Sequence, residues 1–321
     1  MTASPEREPP AAPTLRLGTR GSALAMAQAR DVASRLERLL LDTRVELAVI
    51  KTSGDRMGLA ALPTIGGRGV FVKEIEQALL AGEVDLAVHS LKDMPTEIAV
   101  GLVIAAVPPR APAYDVLCSR EAKSLDALPG GATVGTSSPR RRAQLLHWRA
   151  DLRFADLRGN LETRLRKLTE EKFDAVVLAE AGLFRLGLQE RITERLAYDI
   201  CLPAPGQGAL AVQTRADNRE MRDLLRPLED RASRAAVEAE RALLAALGGG
   251  CLAPLGAVGV VSGEALTLHA ALASPDGARL VRRQGAGPAS EAAAVGESLA
   301  REILETGGGE ILADLEKTSR P

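Results

Sequence analysis

Through the first two-thirds of this 321-residue chain, short apolar runs alternate with segments whose apolar positions recur every three or four residues. Short unbroken or alternating apolar runs predict strands, and a 3.6-residue period predicts helices with one buried face. The pattern predicts a strand at Leu15–Gly18, an amphipathic helix from about Ser22 to Leu41 and a strand at Val45–Lys51. It continues with a helix at Val70–Ala81, closed by Gly82, and a strand at Val84–His89. After a gap it resumes with strand Ala132–Gly135, helices Arg140–Trp148 and Leu161–Glu171, and strand Asp174–Leu178. Such alternation implies a parallel sheet covered by helices.

Two short echoes suggest that the pattern is used twice. Gly18-Thr19, a serine-bearing turn and a helix recur as Gly135-Thr136-Ser137-Ser138 and a helix, and Val84–Val88 recurs as Phe173–Val177. Prolines 108, 109 and 112 fall between the halves, and Pro203, Pro205, Gly206 and Gly208 follow the second. Two such breaks suit a chain that leaves one lobe, builds another and returns. The remainder differs in kind: a helix at Arg231–Leu247, strands at Ala257–Val261, Ala265–Ala273 and Ala278–Gln284, then a helix from about Ala289 to Glu305. Turns at Ser262-Gly263 and Pro275-Asp276-Gly277 join those strands antiparallel. The expected division is a disordered tail over 1–13, lobe one over 14–108 and 207–228, lobe two over 113–202, and a small α+β domain with a three-stranded antiparallel sheet over 229–321. Ligands of open α/β sheets bind beyond the carboxyl ends of the strands, here the cleft between the lobes.

Composition narrows the class. With 46% hydrophobic and 26% charged residues the chain reads as soluble and globular, and no apolar run approaches the ~20 residues that span a membrane. The Pro/Ala/Glu-rich start has no apolar signal core, so a cytoplasmic location is expected. Three scattered cysteines and three histidines argue against a disulfide framework and against a metal site. Aromatics at 2% and a net charge of −1 leave a nucleic-acid interface without stacking platforms or a basic footprint.

Charge is nonetheless concentrated. Of 41 basic residues 34 are arginine, and eight of these lie between Arg140 and Arg166. Arginine grips carboxylates and phosphates through a planar fork, so local clustering in a nearly neutral chain points to an anionic ligand. In Gly135-Thr136-Ser137-Ser138-Pro139-Arg140-Arg141 a strand ends, hydroxyls turn the chain and a helix starts on proline. Helix N-termini attract anions, and here arginines occupy the first turn. Serine alone would read as a plain N-cap, and the two hydroxyls with three consecutive arginines favour the anion site. No Gly-Lys-Ser/Thr phosphate loop is present. Arg158-Gly159-Asn160 with Arg164 repeats the design, as do Arg20 and Ser22.

Asp93 follows a predicted strand in His89-Ser90-Leu91-Lys92-Asp93-Met94-Pro95. It reads either as a turn cap beside Pro95 or as a carboxylate that stabilises a cation or moves a proton. Gly66-Gly67-Arg68-Gly69 reads as a lid or as a plain connection. Cys251, after three glycines, reads as an accessible thiol, whereas Cys118 and Cys201 sit among apolar residues as buried small hydrophobes.

These segments, taken in order, resemble the porphobilinogen deaminase (hydroxymethylbilane synthase) family. The resemblance runs from Leu15 to Gly256 through Thr19-Arg20-Gly21-Ser22, Gly66–Glu74, Val88–Pro95, Gly135–Arg141, Leu157-Arg158-Gly159-Asn160, Pro203–Gly208 and Gly250-Cys251-Leu252-Ala253-Pro254. Two departures stand out: Arg68 and Ala23 occupy positions where the family usually has lysine and proline. The resemblance implies two periplasmic-binding-protein-like lobes and a C-terminal domain that attaches the cofactor. It implies a transferase that condenses four porphobilinogen units, with loss of ammonia, on a dipyrromethane held by Cys251 through a thioether. Hydrolysis then releases hydroxymethylbilane for tetrapyrrole (heme) biosynthesis. Carried over, Asp93 would be catalytic. Ser90, Lys92, Thr136, Ser138, Arg140 and Arg141 would hold the cofactor. Arg20, Ser22, Arg158, Arg164, Arg185 and Gln207 would serve substrate and growing chain. A cytoplasmic monomer is implied, acting on porphobilinogen without nucleic-acid or membrane partners. A binding protein for an organic polycarboxylate would share the lobes and arginines but would need neither Cys251 nor Asp93.

Overall fold

The computed structural model describes residues 14–40, 43–56, 71–170, 173–248 and 253–319. The expected tail over 1–13, the Gly66–Gly69 segment with Arg68, and Cys251 lie outside the described residues.

The chain begins with strand β1 (Thr14–Thr19), helix α1 (Ala23–Leu39), strand β2 (Arg44–Val49), the short α2 (Ser53–Arg56) and α3 (Lys73–Leu80). Strands β3 (Leu86–Ser90) and β4 (Leu102–Ala106) follow. Crossing to a second lobe, it forms β5 (Asp115–Ser119), β6 (Thr133–Gly135), α4 (Pro139–Trp148), β7 (Arg153–Ala155), α5 (Leu161–Glu170), β8 (Ala175–Ala179), α6 (Glu180–Arg185) and β9 (Glu194–Arg195). It then returns as β10 (Leu210–Arg215) and α7 (Arg219–Leu225). The first sheet has the order β2-β1-β3-β10-β4 and the second β7-β6-β8-β5-β9, so the lobes share one topology. Two like lobes joined by two crossings form the expected periplasmic-binding-protein-like arrangement.

The expected parallel pairing is present in both lobes, and each sheet also takes in antiparallel strands. β1 pairs parallel with β2 and β3, and β6 with β7 and β8, but β10 lies antiparallel between β3 and β4. β5 likewise lies antiparallel between β8 and β9. Each exception is the strand by which the chain enters a lobe from the other. Both are buried along nearly their whole length, as Leu-Ala-Val-Gln-Thr and Asp-Val-Leu-Cys. Cys118 and Cys201 are buried as expected, 1% and 0% exposed.

The C-terminal part contains α8 (Arg231–Ala246), strands β11 (Leu255–Ser262), β12 (Ala265–Ala273) and β13 (Leu280–Pro288), α9 (Ala292–Ile303) and α10 (Gly309–Ser319). Its antiparallel sheet has the order β11-β12-β13. Ala239 and Leu243 of α8, Leu266 and Leu268 of β12, and Leu299 and Ile303 of α9 form one core. The helix expected from about Ala289 to Glu305 is α9, but it is not the last: a further helix, α10, follows it. Thr306 and Gly307 leave helical geometry, Gly307 at φ 105°, and the apolar positions Ile311 and Leu312 restart a helix after the glycines.

Helix α8 also reaches into lobe one, where Val237 packs against Val72, Leu91, Met94 and Val107. Ala113 and Leu202, one from each crossing, pack against Val258 and Ala271 of the C-terminal sheet. The small domain therefore rests on the hinge itself. There Glu240, fully buried, accepts from Arg110 Nη1 at 2.6 Å, Gly206 N at 2.6 Å and Gly259 N at 2.8 Å.

Candidate active site

A cavity of about 670 Å³ lies between the two lobes. Its polar walls come from the carboxyl ends of equivalent parallel strands. In lobe one, Arg20 and Ser22 follow β1, Lys51 follows β2, and Lys92 and Asp93 follow β3; in lobe two, Arg141 lies after β6, Asn160 and Arg164 after β7, and Arg185 after β8. The twofold use of one topology thus sets two rows of cations face to face.

The first helical turns are built by caps. Ser22 accepts from Ala25 N at 3.3 Å, Ser138 from Arg141 N at 3.4 Å, and Asn160 Oδ1 from Thr163 N at 2.8 Å. Each side-chain oxygen satisfies an amide that the helix leaves unpaired. Pro139 at the start of α4 needs no such partner. Both readings of these serines therefore hold together at Ser22, which caps α1 and also lines the cavity.

Among the described lining residues stand six cations, Arg20, Lys51, Lys92, Arg141, Arg164 and Arg185, and one carboxylate, Asp93. Burial marks three of these cations, and like charge adds to it at Lys92 and Arg164. The Lys92 ammonium is pushed down to about 8, first by burial between the cleft walls and partly by Arg141, while Asp93 opposes the shift. The side chain is open to the cleft, yet protein surrounds it. Burial also lowers the Arg164 guanidinium to about 10, with Arg141 adding repulsion, and lowers Arg185 to about 10. Desolvated like charges close together favour a ligand that brings negative charge.

Other contacts hold these groups in place. Arg20 stacks on the Phe71 ring at 4.1 Å, Arg164 donates from Nε to Gly159 O at 2.9 Å, and Arg185 donates from Nη2 to Gly208 O at 2.7 Å. The last bond runs from lobe two to the returning crossing. Gln28 donates to Ser90 Oγ at 2.9 Å.

Behind the floor lies a carboxylate that sequence reasoning missed. Asp115, fully buried at the start of β5, accepts from Arg140 Nη1 at 2.6 Å on one oxygen and from Arg141 Nη2 at 2.7 Å on the other. Burial alone would raise its pKa, but the two guanidinium groups hold it well below the usual carboxylate range. Gln207, also fully buried, donates to Asp115 Oδ1 at 2.9 Å and accepts from Lys92 Nζ at 3.3 Å. A line of polar contacts thus runs from the cavity cation Lys92 through the hinge to the arginine pair of α4.

The predicted residues therefore separate. Arg20, Ser22, Ser90, Lys92, Asp93, Arg141, Arg164 and Arg185 line one cavity. Thr136, Ser138, Arg140, Arg158 and Gln207 are not among the lining residues. Arg140 is committed to Asp115 and to Leu202 O, also at 2.6 Å; Thr136 Oγ1 accepts from Ser138 N at 3.2 Å; Arg158 pairs with Asp156 at 3.5 Å. Lys51 and Asp115 were legible in retrospect. The first is a cation just past a strand, and the second is the one charged residue opening an otherwise apolar run after Pro112.

Comparison with known proteins agrees with this geometry. Residues 15–223 match the family model described as porphobilinogen deaminase, dipyromethane cofactor binding domain, and residues 234–305 match porphobilinogen deaminase, C-terminal domain. The porphobilinogen deaminase of Pelotomaculum thermopropionicum is 54% identical over 296 residues, covering 92% of this chain and 95% of its own. That of Desulforudis audaxviator is 52% identical over 297 residues, covering 92% and 96%. Among solved structures, the methionine binding protein MetQ aligns with 67% of this chain and 89% of its own at 15% identity, with a TM-score of 0.43.

Proposed function

The chain belongs to the porphobilinogen deaminase family, and from that premise we propose the roles its residues take. The activity is that of a transferase, hydroxymethylbilane synthase, in tetrapyrrole biosynthesis: four porphobilinogen molecules are joined head to tail with loss of ammonia on a dipyrromethane primer, and hydrolysis releases hydroxymethylbilane.

The cavity suits that primer. Two linked pyrroles carrying acetate and propionate groups bring several carboxylates, and six cations against one carboxylate await them. When bound, the primer supplies a nucleophilic pyrrole carbon. Cys251 tethers it through a thioether, a role supported by the Gly250-Cys251-Leu252-Ala253-Pro254 motif. Ser90, Lys92 and Arg141 hold its carboxylates from the cavity wall. Thr136, Ser138 and Arg140 serve the same group from behind, by fixing the start of α4 and the orientation of Arg141. Arg20, Ser22, Arg164 and Arg185, with Lys51, receive substrate carboxylates; Arg158 takes up those of the lengthening chain. Gln207 keeps Lys92 in register with Asp115.

Asp93 carries the chemistry. It accepts hydrogen bonds from pyrrole N–H groups and stabilises the positive charge that builds as ammonia departs. The observation that carries this reading is its position as the lone carboxylate among the described lining residues, beside Lys92 and within reach of the field of Arg164. A receptor built only to bind polycarboxylates would gain nothing from a negative charge there. No helix among the described residues is long and apolar enough to cross a membrane. The family resemblance is what supports taking the protein as a cytoplasmic monomer.

Intact-mass measurement tests the scheme. The purified protein should exceed its sequence mass by two linked pyrrole units, and Cys251→Ser should remove that increment. An active, unmodified wild type would refute covalent priming.

A further inference from the structure

Asp93 sits in a single 3₁₀ turn, Leu91–Asp93, followed by Met94, Pro95 and Thr96. A turn this short has little rigidity of its own, since Met94 N bonding back to Leu91 O at 3.1 Å closes it once. What braces it comes from the C-terminal domain. Helix α8 contributes Val237 to the buried apolar cluster that also holds Leu91 and Met94, which flank Lys92 and Asp93. One helical turn later Arg241, on the same face, donates from Nη2 to Pro95 O at 2.7 Å and to Thr96 O at 2.8 Å. The same helix is tied to the first crossing by Ser233 Oγ, which accepts from Arg110 N at 2.9 Å, and to β4 by Arg234, which donates to Ile104 O at 3.1 Å. Helix α8 ends at Ala246, five positions before Cys251.

We propose that Arg241 is a positioning residue for the reaction: by clamping the carbonyls of Pro95 and Thr96, just beyond Asp93, to the helix that leads to Cys251, it sets the carboxylate against the tethered pyrrole chain. This rests on the assignment of Asp93 and Cys251 above. Arg241 touches neither substrate nor cofactor in this scheme. It acts through the backbone on which Asp93 stands. Two ends of the reaction geometry, the charge that stabilises the cation and the anchor of the chain, belong to different domains, and Arg241 is a polar link between them. Lys92 shares the turn, so the clamp also bears on the cation nearest Asp93. Its guanidinium is partly buried, and burial lowers its pKa, as befits a cation held by neutral carbonyls.

Misplacement of a reacting group by about 1 Å can cost on the order of a hundredfold in rate. The experiment compares Arg241→Met and Arg241→Lys holoenzymes for kcat, KM, melting temperature and intact mass. Arg241→Met should keep the two-ring mass increment and a near-normal melting temperature. Its kcat should fall about 10- to 100-fold while KM stays within about threefold, the pattern of lost transition-state positioning. Arg241→Lys, which keeps a donor for the same carbonyls, should recover to within about threefold of the wild-type kcat. Three results would overturn the inference: an Arg241→Met kcat within about twofold of wild type, a lysine variant no better than the methionine one, or an activity loss that tracks loss of the mass increment. Asp93→Asn, measured alongside, separates the premises. Near-normal turnover in that variant removes the catalytic role of Asp93 itself, whatever Arg241 does.

Discussion

Asp115 and Arg140 form a buried ion pair, Nη1 to Oδ2 at 2.6 Å, with side chains 0% and 7% exposed. The same carboxylate holds Arg141, so one negative charge orients two cations, only one of which faces the cavity. Removing a partner from such a group leaves charge buried without compensation, at a cost of about 3–5 kcal/mol. Asp115→Asn should therefore lower stability by that amount in urea unfolding and should impair cofactor loading. A loss under about 1 kcal/mol would show that the arginines re-pair or hydrate without it.

Asp93 should affect rate rather than fold. Its side chain is exposed to the cavity, so Asp93→Ala should leave the unfolding midpoint within about 0.5 kcal/mol of wild type. Turnover should fall by at least about a hundredfold, in keeping with loss of electrostatic stabilisation of a developing charge. Single-turnover assays of ammonia release would expose the step, and normal release by the alanine variant would remove Asp93 from the chemistry.

Lys92 gives the site a pH dependence. In the cofactor-free protein its ammonium is lost as pH rises through about 8, while a bound carboxylate favours the charged form. Binding should then take up a proton above that pH, and affinity should be full below about 8 and decline above it. Titrating the Cys251→Ser apoprotein with citrate between pH 7 and 10 checks the slope, and Lys92→Met should flatten it. An affinity that is constant across pH 8 in the parent protein contradicts the assignment.

Gly208 should tolerate no side chain. It sits at φ 85°, and a Cβ there would lie 2.3 Å from Ala111 O on the opposite crossing. Gly208→Ala should cost about 2–3 kcal/mol from backbone strain together with a clash that has no flexible partner to yield. Unchanged thermal stability would mean that the crossings are not packed as described.

Much of this molecule was readable from periodicity and local chemistry. The βα junctions at Ser22, Ser138 and Asn160 announced themselves through cap residues beside arginines, because capping depends on a few adjacent positions. The antiparallel strands β5 and β10 were not read, since their partners lie far off in sequence and their flanking prolines looked like linkers. Arg140 and Arg141 are identical as residues and adjacent in the chain. Both reach Asp115, 25 residues before Arg140, and it is the Leu202 carbonyl of the returning crossing that turns Arg140 toward the hinge. The helix that restarts after Gly307 was not read, because Gly307-Gly308-Gly309 looks like a stop and few apolar positions follow it. Residues at domain contacts, such as Arg241, carry no local signature, because what they touch is decided by how domains dock.

The late return of the chain to lobe one as β10 has a consequence for how the protein emerges from the ribosome. Sheet two is complete once β9 at Glu194–Arg195 has been made, but sheet one lacks its fourth member until β10 at Leu210–Arg215 appears. The lobe that is synthesised second can therefore close first, while the earlier lobe waits, its β3 and β4 edges unsatisfied, for a strand delivered from beyond its neighbour. Lobe one, unlike lobe two, is not a contiguous piece of gene, so a truncation after residue 200 would strand the first lobe rather than simply shorten the chain.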